Sequence, residues 1–417
     1  MRKFPLVLAT VGLTASLGAF AAIPTDAAPF QLVIPNLKSG FDITLEGLLL
    51  QPSNSDLDYA TSGTVKATSN TDNLPLTWTS VGKANVESID PSYNFGFRVG
   101  LGYTFAESGN DVQVSWTHFD QSDDDSFGLA NGAALQSRLT GTTFLSLAPF
   151  SLDLGDDEGI AFRNITGSAS SSVDTKLDAI DLDVGQYVDI GTRLRMRMFA
   201  GLRFAQVSSD MSSDFYQTVS GTVVRSEEPD INFDGALALN EQFNSRFRGI
   251  GPRVGVDSIY HIGSCFGVVA RAAVGLLVGQ TETDSSYSAA GVLFVDQERS
   301  NNRREFARFA DGATLDSSDS TRVVPVLDAK LGLNYSFIFD NQSTLTIEAG
   351  YQATQYIDAI DRLSASGTVN LPDFDGIDPG LSPSDRSPVA IPVAVSSSRT
   401  TSSIGFNGPY LSLNWKV

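Results

Sequence analysis

Residues 93–105 read YNFGFRVGLGYTF. Their odd positions, Tyr93, Phe95, Phe97, Val99, Leu101, Tyr103 and Phe105, are aromatic or branched apolar, and the even ones are Asn94, Gly96, Arg98, Gly100, Gly102 and Thr104. Period-two alternation of this length specifies a strand with one apolar face and one small or polar face. The pattern recurs at 41–51, 112–117, 180–190, 192–204, 250–260, 266–278, 323–339, 344–352 and 410–417, so the sequence reads as ten strong strands. In 194–204, for example, Leu194, Met196, Met198, Leu202 and Phe204 oppose Arg195, Arg197 and Arg203.

The connections sort into two classes. Those at 106–111, 189–192, 261–264 and 340–343 are tight turns; those at 52–92, 120–172, 207–245, 280–321 and 357–402 are long, rich in Ser, Asp and Gly, and poor in apolar residues. Short and long alternate strictly, as they do in an outer-membrane barrel with short periplasmic turns and long extracellular loops. A soluble sandwich has no reason to sort its loops in this way, although its sheets share the one-faced alternation.

The N-terminus supplies the compartment. Arg2 and Lys3 precede an apolar run to Leu17 and then Ala19-Phe20-Ala21, the order of a secretory signal peptide with cleavage expected after Ala21. No stretch of 18 apolar residues follows, so a membrane-resident mature chain must cross as strands. Backbone groups in hydrocarbon have no water to bond, so those strands must close into a ring. The expected organisation is a signal peptide at 1–21, an N-terminal periplasmic segment at 22–40 and a barrel at 41–417. The fold class is all-β, an antiparallel transmembrane β-barrel of about 10–12 strands. Aromatics at the short-turn ends, Tyr103, Phe105, Tyr260, Phe337, Phe339 and Trp415, are placed for an interfacial girdle.

The stretch GFDITLEGLLLQPSNSDLDYA after an exported N-terminus, the repeated Gly/aromatic strands and the ending GPYLSLNWKV resemble the major outer membrane protein family typified by Legionella. The resemblance spans most of the mature chain and is most specific at its two ends. It implies a pore-forming protein at the Gram-negative cell surface. One departure is at the C-terminus, where Val417 is last and Trp415 is the nearest ring.

Alternation also assigns faces. Phe97, Leu101, Trp116, Leu331, Leu333 and Trp415 are expected to meet lipid. The expected lumen-lining set is Arg98, Asp181, Asp183, Arg193, Arg195, Arg197, Arg203, Arg253, Arg271, Lys330 and Glu348. An Arg-rich strand beside the acidic strand 180–190 could segregate charge across a constriction and select solutes; the same residues could instead pair with one another and fill the lumen. Inward glycines such as Gly249, Gly255 and Gly332 admit two readings as well, a widened lumen or sharply coiled strands. An eight-stranded barrel is filled by its own side chains, and 16 strands leave a channel, so ten lies nearer the filled end.

Other functions find little footing. The formal net charge of -20, or -22 once Arg2 and Lys3 are removed, argues against nucleic acid as a partner. His118 and His261, both assigned to periplasmic strand ends, have no Ser or Asp at a catalytic spacing, and no enzyme activity or cofactor is expected. GIGPRVG lacks the helix a nucleotide loop requires. DFDGIDPG at 373–380 has the oxygen donors of a calcium loop without its downstream Glu. Cys265 stands alone, leaving the role of a small half-apolar residue beside a turn or an intermolecular crosslink. The expected partners are outer-membrane lipid and lipopolysaccharide, small solutes or ions, and divalent cations at the acidic loops, with homo-oligomerisation left open. The sequence therefore predicts an outer-membrane porin for small hydrophilic solutes, and the alternative is a closed or plugged barrel acting as a surface adhesin or structural anchor.

Overall fold

The structure is a computed structural model that describes residues 32–35, 37–68, 77–80, 84–129, 133–137, 159–224, 231–263, 265–297, 303–339, 343–368 and 394–417. The signal peptide expected at 1–21 and the acidic stretch 373–380 lie outside these residues. Among the described residues ten strands build the wall: β1 Gly40–Asn54, β2 Asn94–Thr104, β3 Asn110–Gly128, β4 Gly159–Ile190, β5 Leu194–Val224, β6 Ile231–His261, β7 Phe266–Gln297, β8 Arg303–Ile338, β9 Thr344–Thr368 and β10 Ala394–Lys416. Each pairs antiparallel with its sequence neighbour, and β10 returns to β1, with Lys416 opposite Asp42 and Ile404 opposite Asn54. The sheet is thereby closed and leaves no edge at membrane level, which satisfies the backbone where water is absent.

Short connections join the strands where four tight turns are expected, from Thr104 to Asn110, Ile190 to Leu194, His261 to Phe266 and Ile338 to Thr344, and the one expected at 189–192 turns at 191–193. In the hairpin 191–193, Gly191 takes the left-handed conformation (φ 65°) that a non-glycine residue resists. Before the wall begins, Leu32–Val33 pairs with Asp189 and Ile190 on β4, and the Leu37 carbonyl accepts the Glu107 N–H at 3.0 Å. The described part of the N-terminal segment is thus tied to the short-turn end.

The stretches expected as long loops are mostly wall. The strands β4 to β8 are 31 to 36 residues long, whereas a bilayer is crossed by about 9–11 residues. They carry on through 159–172, 207–224, 231–245, 280–297 and 303–321 without losing their pairing. The reason is an inversion of polarity within an unbroken alternation. On β4, Ile180, Leu182 and Val184 point out while Asp181 and Asp183 point in; a few residues earlier, Asp174 and Lys176 point out while Val173, Leu177 and Ala179 are buried inside. β5 does the same, with Leu202 and Phe204 outside below and Val207, Met211 and Phe215 inside above. Outside the membrane the wall faces water, so Ser and Asp go out and the core goes in. Low average hydrophobicity in these segments reflects that exchange and not a loop.

Two apolar clusters fill the upper lumen. The lower one joins Leu48, Phe119, Val207, Phe247, Leu277, Val324, Tyr356 and Phe406 from opposite walls, and the upper one joins Leu57, Tyr59, Met211, Phe215 and Phe243. β9 helps to close the barrel. Its pairing with β8 ends at Tyr356 opposite Val326, its register with β10 shifts between Tyr356 and Ile360, and Asp358 adopts φ 54° in the bulge. The strand then reaches across to β6, where the Asp361 N–H donates to Ser245 Oγ at 3.0 Å. Higher still, the segment 58–68 pairs with 77–80, 85–88 and 133–137, and the Tyr59 hydroxyl donates to Asp125 of β3 at 3.0 Å.

Candidate lumenal site

Below the apolar layer the lumen is polar. A chamber of about 450 Å³ extends from the short-turn end, lined by residues such as His261, Ser336 and Lys416, up to the level of Arg203, Asp328 and Gln352. Its side chains come from inward positions of almost every strand, because period two delivers one inward residue in each pair. Arg98, Asp181, Asp183, Arg195, Arg197, Arg203, Arg253, Arg271, Lys330 and Glu348 all line it. Arg193 does not: it lies exposed in the three-residue turn, where only its carbonyl is engaged, accepting the His261 N–H. On the opposite face Leu101, Trp116, Leu331, Leu333 and Trp415 are exposed, and Phe97 packs edge-on against Trp116 at 5.2 Å. Rings also cluster at the short-turn end, as in Phe41–Tyr103 and Phe266–Tyr335.

The inward charges are paired across the lumen. Arg203 forks onto Asp181 at 2.6 and 2.8 Å, and its other Nη reaches Asp328 at 2.9 Å, which joins β5 to β8. Arg253 on β6 contacts Asp181 at 2.6 Å and Asp183 at 3.1 Å. Arg197 bonds Asp111 of β3 at 2.8 Å and Asp257 of β6 at 3.2 Å. Buried Glu46 of β1 takes Arg98 at 2.9 Å and is also paired with Lys330 of β8. Arg271 holds Glu348 at 2.7 Å, and Glu348 also accepts the Tyr410 hydroxyl at 2.7 Å. Phe199 lies between the guanidinium groups of Arg197 and Arg253, at 5.0 and 5.1 Å. Removing such charges from water is costly, and pairing with hydrogen-bonded partners is what makes their burial tolerable.

The closed barrel decides how these charges meet. In the β4–β5 hairpin, Ile190 stands opposite Leu194, so Arg195 meets Asp189 and Arg203 meets Asp181, while Arg197 stands opposite Tyr187. The turn occupies 191–193 and sets this register; the same three-residue turn placed one residue earlier would have matched Asp189 with Arg193, and placed two residues earlier Asp183 with Arg197. The Arg-rich strand is also not a basic wall, because Asp111, Asp257 and Asp328 from other strands complete its pairing. Asp111 was hidden from sequence reading by its place beside the turn at 106–111; continuing the alternation of Gln113 and Ser115 back by two residues finds it. Tyr410 and Phe199 escaped for a different reason, since an aromatic residue on the inward face runs against the apolar-out rule.

Inward glycines seat these large side chains. The ring of Phe199 occupies the space above Gly255, the Phe247 ring that above Gly249 and the Tyr410 hydroxyl that above Gly332. At Gly185 an added Cβ would stand 2.6 Å from Arg197 Nε. The volume they release is therefore filled by neighbours. His118 also sits elsewhere than expected. Its Nδ1 is 2.8 Å from Asp178 on the outer face, beside Trp116 and just above Ile180, at the long-strand boundary of the apolar belt.

A closed antiparallel ring with an apolar belt, a girdle of rings and a charged interior defines an outer-membrane β-barrel. The chain belongs to the family described as Legionella pneumophila major outer membrane protein precursor, whose family model matches residues 33–417. Among solved structures it is similar to the outer membrane protease OmpT from Escherichia coli at 9% identity and TM-score 0.31, covering 94% of this chain and 99% of that one. It is also similar to a Pseudomonas aeruginosa FadL homologue (10% identity, TM-score 0.21, 91% and 90% covered) and to the P. putida toluene transporter TodX (6%, 0.21, 94% and 90%). Among curated proteins, none matches.

Proposed function

We propose that this protein is a closed outer-membrane barrel that acts as a structural anchor and carries a long polar wall at the cell surface. The observation behind this reading is the apolar layer above the chamber, in which Phe119, Phe247, Phe406 and Tyr356 are each at most 1% exposed. Below it, ion pairs joining β5 to β8 and β1 to β8 cross what would be the conduction path. Planar-bilayer recording tests it: the purified barrel is expected to insert and give no steady open level. A stable conductance of porin size would overturn the reading.

A second reading, a porin for small hydrophilic solutes, has support from the chamber itself. It is polar, carries both signs of charge and extends to the short-turn end. Conduction would require the inward segment of β9 around Tyr356–Ile360 to leave the lumen. Wild-type conductance distinguishes the two readings, and changing Tyr356 and Phe406 together to Ala tells what closes a silent barrel: one closed only by this layer gains conductance, while one closed by its ion pairs stays silent.

A further inference from the structure

We infer that the chamber holds a binding site for a small zwitterion, an α-amino acid with an apolar side chain, seated on Arg271 and Asp257. The two stand directly opposite each other on β7 and β6, and both line the chamber. Each has engaged only part of its charge. Arg271 donates from one Nη to Glu348 at 2.7 Å, and Asp257 accepts from Arg197 at 3.2 Å through one oxygen, while no ion pair joins Arg271 to Asp257 among the described residues. Their side chains remain 34% and 24% exposed, so a guanidinium edge and a carboxylate oxygen are left for a ligand. Residues directly opposite on neighbouring strands have Cβ atoms about 4.5–5.5 Å apart. The ammonium nitrogen and carboxylate carbon of an α-amino acid are about 2.5 Å apart. One such molecule therefore places its carboxylate on Arg271 and its ammonium on Asp257 at the same time.

The surrounding charge has the sign that each end of the ligand needs. Asp111 and Asp257 share the single guanidinium of Arg197, which leaves that corner with one negative charge in excess. On the other side Glu46 and Glu348 are matched against Arg98, Lys330 and Arg271, which leaves one positive charge, and Lys330 stands directly opposite Arg271. The next cation along β5, Arg195, is matched by Asp189, and higher up Arg203 and Arg253 are held by Asp181, Asp183 and Asp328. Apolar surface flanks the charged pair. One inward position above it Ala273 stands opposite Gly255, which the Phe199 ring covers, and one position below it Ile259 is half-buried. Phe199, Ile259 and Ala273 all line the chamber. Its volume of about 450 Å³ is that of a small-ligand pocket, and a few placed polar groups beside apolar wall are the usual build of one. Arg271 and Asp257 lie below Leu277 and Phe247 of the apolar layer, so the site stands whether or not that layer opens.

Equilibrium dialysis of the folded barrel in detergent micelles against isotope-labelled L-leucine tests this, and it reads binding without conductance. The competitors are isocaproate, which lacks the ammonium, and isoamylamine, which lacks the carboxylate. Wild type is expected to bind leucine saturably, with each analogue about ten-fold weaker, the weight of one charge-assisted hydrogen bond. Asp257→Asn is expected to weaken leucine about ten-fold and to leave isocaproate unchanged, whereas a merely structural role for Asp257 would weaken both. Heat-modified gel mobility reports folding. If Asp257→Asn does not fold, Ile259→Trp, which keeps every charge and fills the seat of the side chain, should weaken leucine about ten-fold and leave glycine unchanged. Absence of saturable binding by wild type would overturn the proposal, as would equal affinity for leucine and either analogue, or unchanged leucine binding in the folded variant.

Discussion

Ala200 and Ser212 project from the same face of β5, 12 residues apart, and are surrounded by different solvents. Twelve residues at about 3.3 Å span roughly 40 Å of strand, and a tilt of about 40° makes that a height of roughly 30 Å. Ala200 is the central position of the outward series Met196, Met198, Ala200, Leu202 and Phe204, so Ser212 stands some 15 Å beyond a hydrocarbon layer whose half-thickness is about 12–15 Å. Ala200→Arg places a cation near the midplane and is expected to cost about 2–4 kcal/mol, whereas Ser212→Arg should stay within about 0.5 kcal/mol. The larger figure corresponds to a loss of roughly 30- to 1,000-fold in the folding equilibrium. Urea unfolding from lipid vesicles, followed by the fluorescence of Trp116 and Trp415, measures both. Equal costs would refute the reasoning, because the two halves of the strand would then face one medium.

Arg197→Met should cost about 3–5 kcal/mol, since Asp111, itself 1% exposed, would lose its buried cation; the same urea titration reads it. Lys330→Ser, on the lumenal face, should be costly as well, because it removes one of the two cations on Glu46, and a loss indistinguishable from a surface change would contradict the pairing. Trypsin added to intact cells should spare Lys176, Arg246 and Arg248, whose backbones are paired within the wall; rapid cleavage there would restore the loop reading. Burial pushes the Asp210 carboxyl up, Arg246 and Lys176 oppose the shift, and Asp174 and Asp284 add to it. A carboxylate raised in the folded state favours folding when protonated, so its contribution is lost as pH rises from the ordinary value of 3.8 through the raised one. Asp210→Asn should therefore raise stability at neutral pH and flatten this part of the pH profile.

The sequence alone determines that 93–105 and its nine counterparts are strands, which residues share a face, and where the four tight turns lie. Period two is local chemistry and survives any tertiary arrangement. It does not say which face is inside, because that depends on the medium beyond the wall. Ile180 is outward because lipid covers it, and Asp174, on the same face of β4, is outward because water does. Only the closed ring decides where that exchange occurs, and so turns the Ser- and Asp-rich stretches from loops into wall. The lumen follows the same logic. Ten of the eleven charges named from alternation do line the chamber, yet their partners stand on strands far apart in sequence, as Glu46 and Lys330 do. Whether the interior is an open channel or a packed network is set by the register of a three-residue turn and by the bend in β9, both properties of the assembled barrel, since a local pattern carries no information about which distant walls meet.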